Sequence, residues 1–123
     1  MSLDRKGLLK KDKLKIEKVE LEIDELVHIR QMTGRERDRF EQSLVKIVKG
    51  KKGVTETQQS LEDFRAKLVV CCACDEEGKL LLLPNDVEAL STSMSAYKLE
   101  KLVNVAQRLN NISAEDAEEL VKN

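Results

Sequence analysis

Tryptophan is absent from this chain, tyrosine occurs once and phenylalanine twice. So few flat rings leave little for nucleobases to stack on. The formal net charge is −1, so the basic surplus of a general nucleic-acid binder is missing too. No apolar run approaches the ~18 residues that a membrane-spanning helix needs. The opening "MSLDRKGLLKK" places charges where the apolar stretch of a signal peptide would sit. A glycine-rich phosphate loop, G-x-S-x-G and H-E-x-x-H are all lacking. The single histidine, His28, has no nucleophile or acid nearby in sequence, and reads as a solvent-facing residue of a strand. The expectation is a protein with no catalytic residues and no cofactor, and with neither nucleic acid nor membrane as a partner.

What is present is charge and leucine. Charged residues make up 37% of the 123 positions and hydrophobic ones 41%, the balance of one domain built from amphipathic elements. The charge is unevenly placed. Residues 1–13 hold five basic side chains against two acidic ones, and residues 111–123 hold four acidic ones against one lysine. A basic arm bearing Arg5, Lys6, Lys10 and Lys11 could therefore meet the acidic cluster Glu115, Asp116, Glu118 and Glu119 of another copy.

All three cysteines fall within "VVCCACDEEGKLLLL". A structural zinc site wants four ligands, commonly as paired C-x₂-C, and a redox pair wants C-x-x-C. The spacing here is C-C-x-C, with no second pair and with His28 far off in sequence. Cys71, Cys72 and Cys74 instead extend the apolar run from Leu68, and free cysteine behaves as a small hydrophobe. They are read as core, with no metal bound.

Periodicity predicts an α+β fold, mainly helical, with an N-terminal β-hairpin packed beside four or five helices. Residues 1–13 form a basic flexible arm or short helix, and 14–123 a single domain: hairpin at about 14–32, helical body from 33 to 123. Leu14–Leu21 alternates and slips phase near Glu17–Lys18, which suggests a bulge or a strand end there; "EID" turns; Leu26–Met32 returns. Thr33 and Glu36 form a capping box, and Phe40, Leu44, Ile47 and Val48 share one stripe of a helix that stops at "KGKKG". "GRERDR" alternates in sign and reads as a solvated helix face with local ion pairs. Val54–Gln59 reads as a polar loop. Ser60 with Asp63 opens a second helix, Leu80–Leu83 is a short buried strand or extended segment, and a short helix from Asn85 runs through Leu90. "STSMS" is a hinge. Ser95 caps a helix carrying Leu99, Leu102, Val103, Ala106 and Leu109, which "NNIS" breaks. Ser113 and Asp116 begin a last helix with Leu120 and Val121.

The order of these pieces is distinctive: "MTGRERDRFE" after a hairpin, then "EDFRAKLVVCCACDEEGKLLLLPNDVEAL", then "LEKLVNVAQRLNNISAEDAEELVKN". In that order the chain resembles the tail assembly chaperones of long-tailed (siphophage-type) bacteriophages and prophages, over roughly residues 14–123. The resemblance implies a protein made in the host bacterial cytoplasm and absent from the mature virion. Such a protein self-associates as a homo-oligomer, in spirals or rings. It binds the tape measure protein and keeps it soluble until tail tube protein polymerises around it. In many such phages a ribosomal frameshift adds a C-terminal extension that recruits tail tube protein. Leu102, Leu109, Leu120 and Val121 are candidates for a client groove, whereas Leu99, Val103 and Ala106 are as readily monomer core. Two other readings stay open: a head–tail connector or tail-tube adaptor retained in the virion, and a metal-dependent regulator using the cysteines.

Overall fold

The computed structural model describes residues 2–50, 53–59 and 62–112 and, at 46–49 and 56–59, the backbone alone. The fold is α+β, as the switch in periodicity predicts. Its elements are α1 (Arg5–Leu9), β1 (Ile16–Glu22), β2 (Glu25–Arg30), α2 (Gly34–Ser43), β3 (Val45–Lys49), β4 (Thr55–Gln59), α3 (Phe64–Cys72), β5 (Ala73–Cys74), α4 (Val87–Ser93) and α5 (Ala96–Leu109).

β1 and β2 form the expected antiparallel hairpin, closed at Ile23 and Asp24, where Asp24 adopts a left-handed φ of 64°. The register shift lies between Glu20 and Glu22, not at Glu17–Lys18. Val19, Leu21 and Ile29 point to the core face and are buried. β5 pairs antiparallel with β2, making the order β1-β2-β5. Leu80 then bridges back to Cys74 around the turn at Asp75–Lys79. Asp75 holds that turn by accepting from the N–H groups of Glu77 and Lys79 at 2.8 and 2.9 Å. Gly78, at φ +91°, lies against the face of the sheet opposite the core. A Cβ there would stand 3.3 Å from Ile16 Cδ1, so both the backbone and the close approach call for glycine.

The capping box is formed as expected. Thr33 Oγ1 accepts from the Glu36 N–H at 3.2 Å, and Glu36 Oε1 accepts from the Thr33 N–H at 2.8 Å. Phe40 and Leu44 are buried, but the helix does not reach Ile47 and Val48. Residues 45–49 and 55–59 form a second antiparallel hairpin, in register from Val45↔Gln59 to Lys49↔Thr55. The reading of one continuous helix followed by a polar loop is therefore corrected, and so is a purely helical body after residue 33. Three β-branched residues, Val45, Ile47 and Val48, lose rotamer freedom in a helix and suit a strand. The glycines of "GKKG" serve a hairpin connection rather than a helix cap: the Gly50 N–H donates to Val54 O at 2.6 Å, and Gly53 takes a φ of +77°.

α3 is the centre of the molecule. Ala66, Leu68, Val69, Val70 and Cys72 are all buried, so it is covered around most of its circumference. It packs against α2, α4, α5 and β2. It begins at Phe64 after a left-handed Asp63 (φ 59°), whose carboxylate accepts from Ser91 Oγ at 2.7 Å rather than capping the helix. Ser60 lies outside the described residues. Phe64 meets Phe40 edge to face, with ring centroids 5.6 Å apart.

The Leu80–Leu83 segment is extended but not buried: only Leu82 packs against the core, and Leu81 and Leu83 are 60% and 63% exposed. A 3-10 turn at Pro84–Asp86 follows, and α4 runs on through Ser91–Ser93, so the expected hinge shrinks to Met94 and Ser95. α5 starts where expected, with Ser95 Oγ accepting from the Lys98 N–H. It lays Leu99, Leu102, Val103 and Ala106 into the core. It ends at Asn110 and a left-handed Asn111 (φ 52°), after which Ile112 is buried. The expected last helix, with Ser113 and Asp116, lies outside the described residues.

Candidate functional site

Cys72 and Cys74 are fully buried and Cys71 half-buried. Burial pushes the Cys72 thiol up to about 12, and the neighbouring Cys71 adds to it. Burial also raises Cys71 and Cys74. Such thiols resist forming the thiolate that nucleophilic or metal-binding chemistry uses. Among the described residues no group of three or more His, Cys, Asp or Glu side chains is placed to hold a metal ion. His28 is half-buried, not fully solvent-facing, and stands in register between Lys18 and Cys74.

Two polar nodes escaped the sequence reading. Arg30, 6% exposed, donates to both carboxylate oxygens of Glu36 at 2.9 and 2.8 Å and to Gln31 O at 2.7 Å. These bonds hold the Glu36 carboxyl below the usual carboxylate range and raise the Arg30 guanidinium. Among the described residues the Arg30 Nε has no hydrogen-bond partner. One carboxylate thus caps α2 and neutralises the end of β2. The signal lay in the sequence, as an arginine six residues before the capping-box glutamate. The second node is Asn110. Its side chain accepts from the Met32 N–H at 2.7 Å and donates to Ala106 O at 2.9 Å, and Arg37 donates to its carbonyl at 2.9 Å. The hairpin exit, α2 and the end of α5 meet there. Both nodes are structural clamps.

Arg37 also pairs with Glu41 at 3.0 Å, while Arg35, Asp38 and Arg39 are exposed, so "GRERDR" is in good part the solvated face expected. Arg5 and Lys6 lie on α1, and Lys10 and Lys11 follow it, all exposed. Glu115, Asp116, Glu118, Glu119, Leu120 and Val121 lie outside the described residues, and the expected meeting of opposite ends of two copies falls there with them. Leu102 is corrected: at 1% exposure it is core and cannot line a groove. Leu109 is half-buried and does line an open cleft of about 570 Å³, together with Leu14, Ile16, Lys13, Lys15, Glu17 and Arg108. Arg108 donates to both oxygens of Glu17 at 2.6 Å at its rim.

The remaining candidates are apolar and lie outside the core. On the arm Leu3, Leu8 and Leu9 are 68–70% exposed. Asp4 accepts from the Gly7 N–H at 2.9 Å and so caps α1. Leu3 and Leu8 then stand at the two positions of a hydrophobic staple. Beyond β5 stand Leu81 and Leu83. A sequence reading finds these leucines but cannot tell that they stay outside. No helix among the described residues is long and apolar enough to cross a membrane. No family profile, curated protein or solved structure matches this chain.

Proposed function

We propose that this chain is a non-enzymatic assembly chaperone of a long-tailed bacteriophage or prophage. It self-associates in the host cytoplasm, binds the tape measure protein and holds it soluble until tail tube protein polymerises around it. The observation that supports the reading best is the pairing of a buried core with leucines left outside it, Leu8 and Leu9 on the arm and Leu81 and Leu83 beyond β5, on a charge-rich surface that also exposes Ile23, Leu26, Val54 and Tyr97. That combination suits a protein whose work is contact. A tape measure offers long apolar helical stripes. Many copies of a small protein, each with a modest apolar surface, protect such a client because linked copies raise the effective concentration of every weak contact. The cleft at Leu14, Ile16 and Leu109 is the surface assigned to the client in this proposal.

The test is co-expression with the tape measure protein of the same gene cluster. The expected result is a soluble complex that survives high salt, because apolar burial drives it. If the tape measure protein stays insoluble and no complex is recovered, the chaperone reading fails. Finding this chain by mass spectrometry in purified virions would favour a retained connector or tube adaptor instead.

A further inference from the structure

We infer that the copies associate head to tail, the arm of one chain docking on the Leu80–Leu83 edge of the next. Both surfaces are apolar and exposed among the described residues: Leu8 and Leu9 are 70% and 68% exposed, Leu81 and Leu83 60% and 63%. Their rims carry opposite charge. The arm, residues 2–13, holds five basic against two acidic side chains, a net of +3. The edge, residues 75–88, holds Asp75, Glu76, Glu77, Asp86 and Glu88 against Lys79, a net of −4. Glu76, Glu77 and Glu88 are exposed around the leucines.

The geometry fits a docked segment. Leu80 is the outermost pairing position of the sheet, since the order runs β1-β2-β5 and Leu80 bridges Cys74. The backbone there is fixed at both ends, because Leu81 N–H donates to Ala73 O and Leu83 N–H to Asp86 Oδ2. The acceptor is therefore preformed. The donor, a five-residue helix, is short enough to need a partner for stability. Two like-charged arms would repel one another, and so would two acidic edges. Only the unlike pair is attractive, so each contact joins an arm to an edge; made reciprocally about a two-fold axis it would close a dimer, and made head to tail it is heterologous. A heterologous contact propagates into a ring or an open helical assembly instead of closing as a dimer.

The inference deepens the self-association part of the proposed function and rests on that part alone. Its measurement uses this chain without a client, so it fails separately from tape measure binding. Two double variants separate the surfaces: Leu8→Ser with Leu9→Ser on the arm, and Leu81→Ser with Leu83→Ser on the edge. All four side chains are exposed, so each variant should keep the wild-type circular dichroism and melting temperature. In sedimentation velocity the wild type should gain mass with concentration across the micromolar range, and less so in high salt. Each variant alone should run as the 14.0 kDa chain. Mixed, they should form a species of twice that mass and go no further, because one intact arm meets one intact edge. A monomeric wild type would overturn the inference by pointing to docking within the chain. An edge variant that still associates would also overturn it, placing the acceptor elsewhere, such as at Glu115–Glu119, or pairing the arms. A mixture that stays monomeric would overturn it as well.

Discussion

Two apolar runs lie on either side of one turn. Leu68–Cys74 is buried almost throughout; Leu80–Leu83, after the Asp75–Lys79 turn, leaves Leu81 and Leu83 mostly in water. Their composition does not separate them. Their neighbours do: α3 is surrounded by α2, α4, α5 and β2, whereas Leu80 sits at the last pairing position of the sheet among the described residues. Hydropathy reports what a residue would gain from burial, and only topology says whether a second layer exists to bury it. The comparison also accounts for the sulfur. Cys72 and Cys74 belong to the first run and are as buried as Leu68 and Val69 there.

Thiol reactivity is the most sensitive way to sharpen the contrast. A cysteine introduced by Leu81→Cys should label within minutes, while Cys72 and Cys74 should label only through global opening, about a thousandfold or more slowly. Equal rates would erase the difference between the runs. In stability, Leu68→Ala should cost about 2–5 kcal/mol in urea unfolding, because Leu68 is fully buried. Leu81→Ala should stay within about 0.5 kcal/mol.

Breaking the clamp beside the first run comes next. Glu36→Gln leaves the Arg30 guanidinium buried beside a neutral amide, at a cost of about 3 kcal/mol, the low end for a broken buried pair. The pH dependence follows from the lowered Glu36 carboxyl. A carboxylate held low in the folded state contributes its stability above the unfolded value and loses it as pH falls through the folded one. In the wild type that contribution should therefore fade below about pH 4.3. Acid titrations of the melting temperature should show a shallower fall in the variant. Thr33→Ala should cost less than the broken pair, about 1 kcal/mol through the lost cap. An unchanged melting curve there would count against the assigned start of α2.

Local chemistry was legible in the sequence. The β1–β2 hairpin, the Thr33–Glu36 box and the Ser95 start of α5 each rest on residues that act on their own neighbours. The second hairpin was not legible, because Phe40, Leu44, Ile47 and Val48 satisfy a helical stripe as well as they fit a helix end followed by a strand. Residues of that kind fit either structure until strand pairing decides. Arg30–Glu36 and Asn110–Met32 were missed because each joins elements whose meeting depends on the whole fold. Of the candidate surfaces, the arm was named from its charge and Leu109 from its spacing. Leu102 was misplaced because a helical stripe does not say which of its residues face a neighbour and which face water. The edge leucines were noted but taken for core.

Asn110 has a mechanical consequence. The chain leaves α5 there and passes through the buried Ile112, whose N–H donates to Gln107 O at 2.8 Å. A pull applied beyond Ile112 would first load that bond. It would next load the three that tie Leu109 and Asn110 to Gln31, Met32 and Arg37. Tension would thus pass at Asn110 into the joint between β2 and α2 and, through the Asn110 Nδ2 contact with Cys72 Sγ at 3.6 Å, into the end of α3. A partner hauling on that end would tug at the entrance of the sheet and at the end of the central helix together.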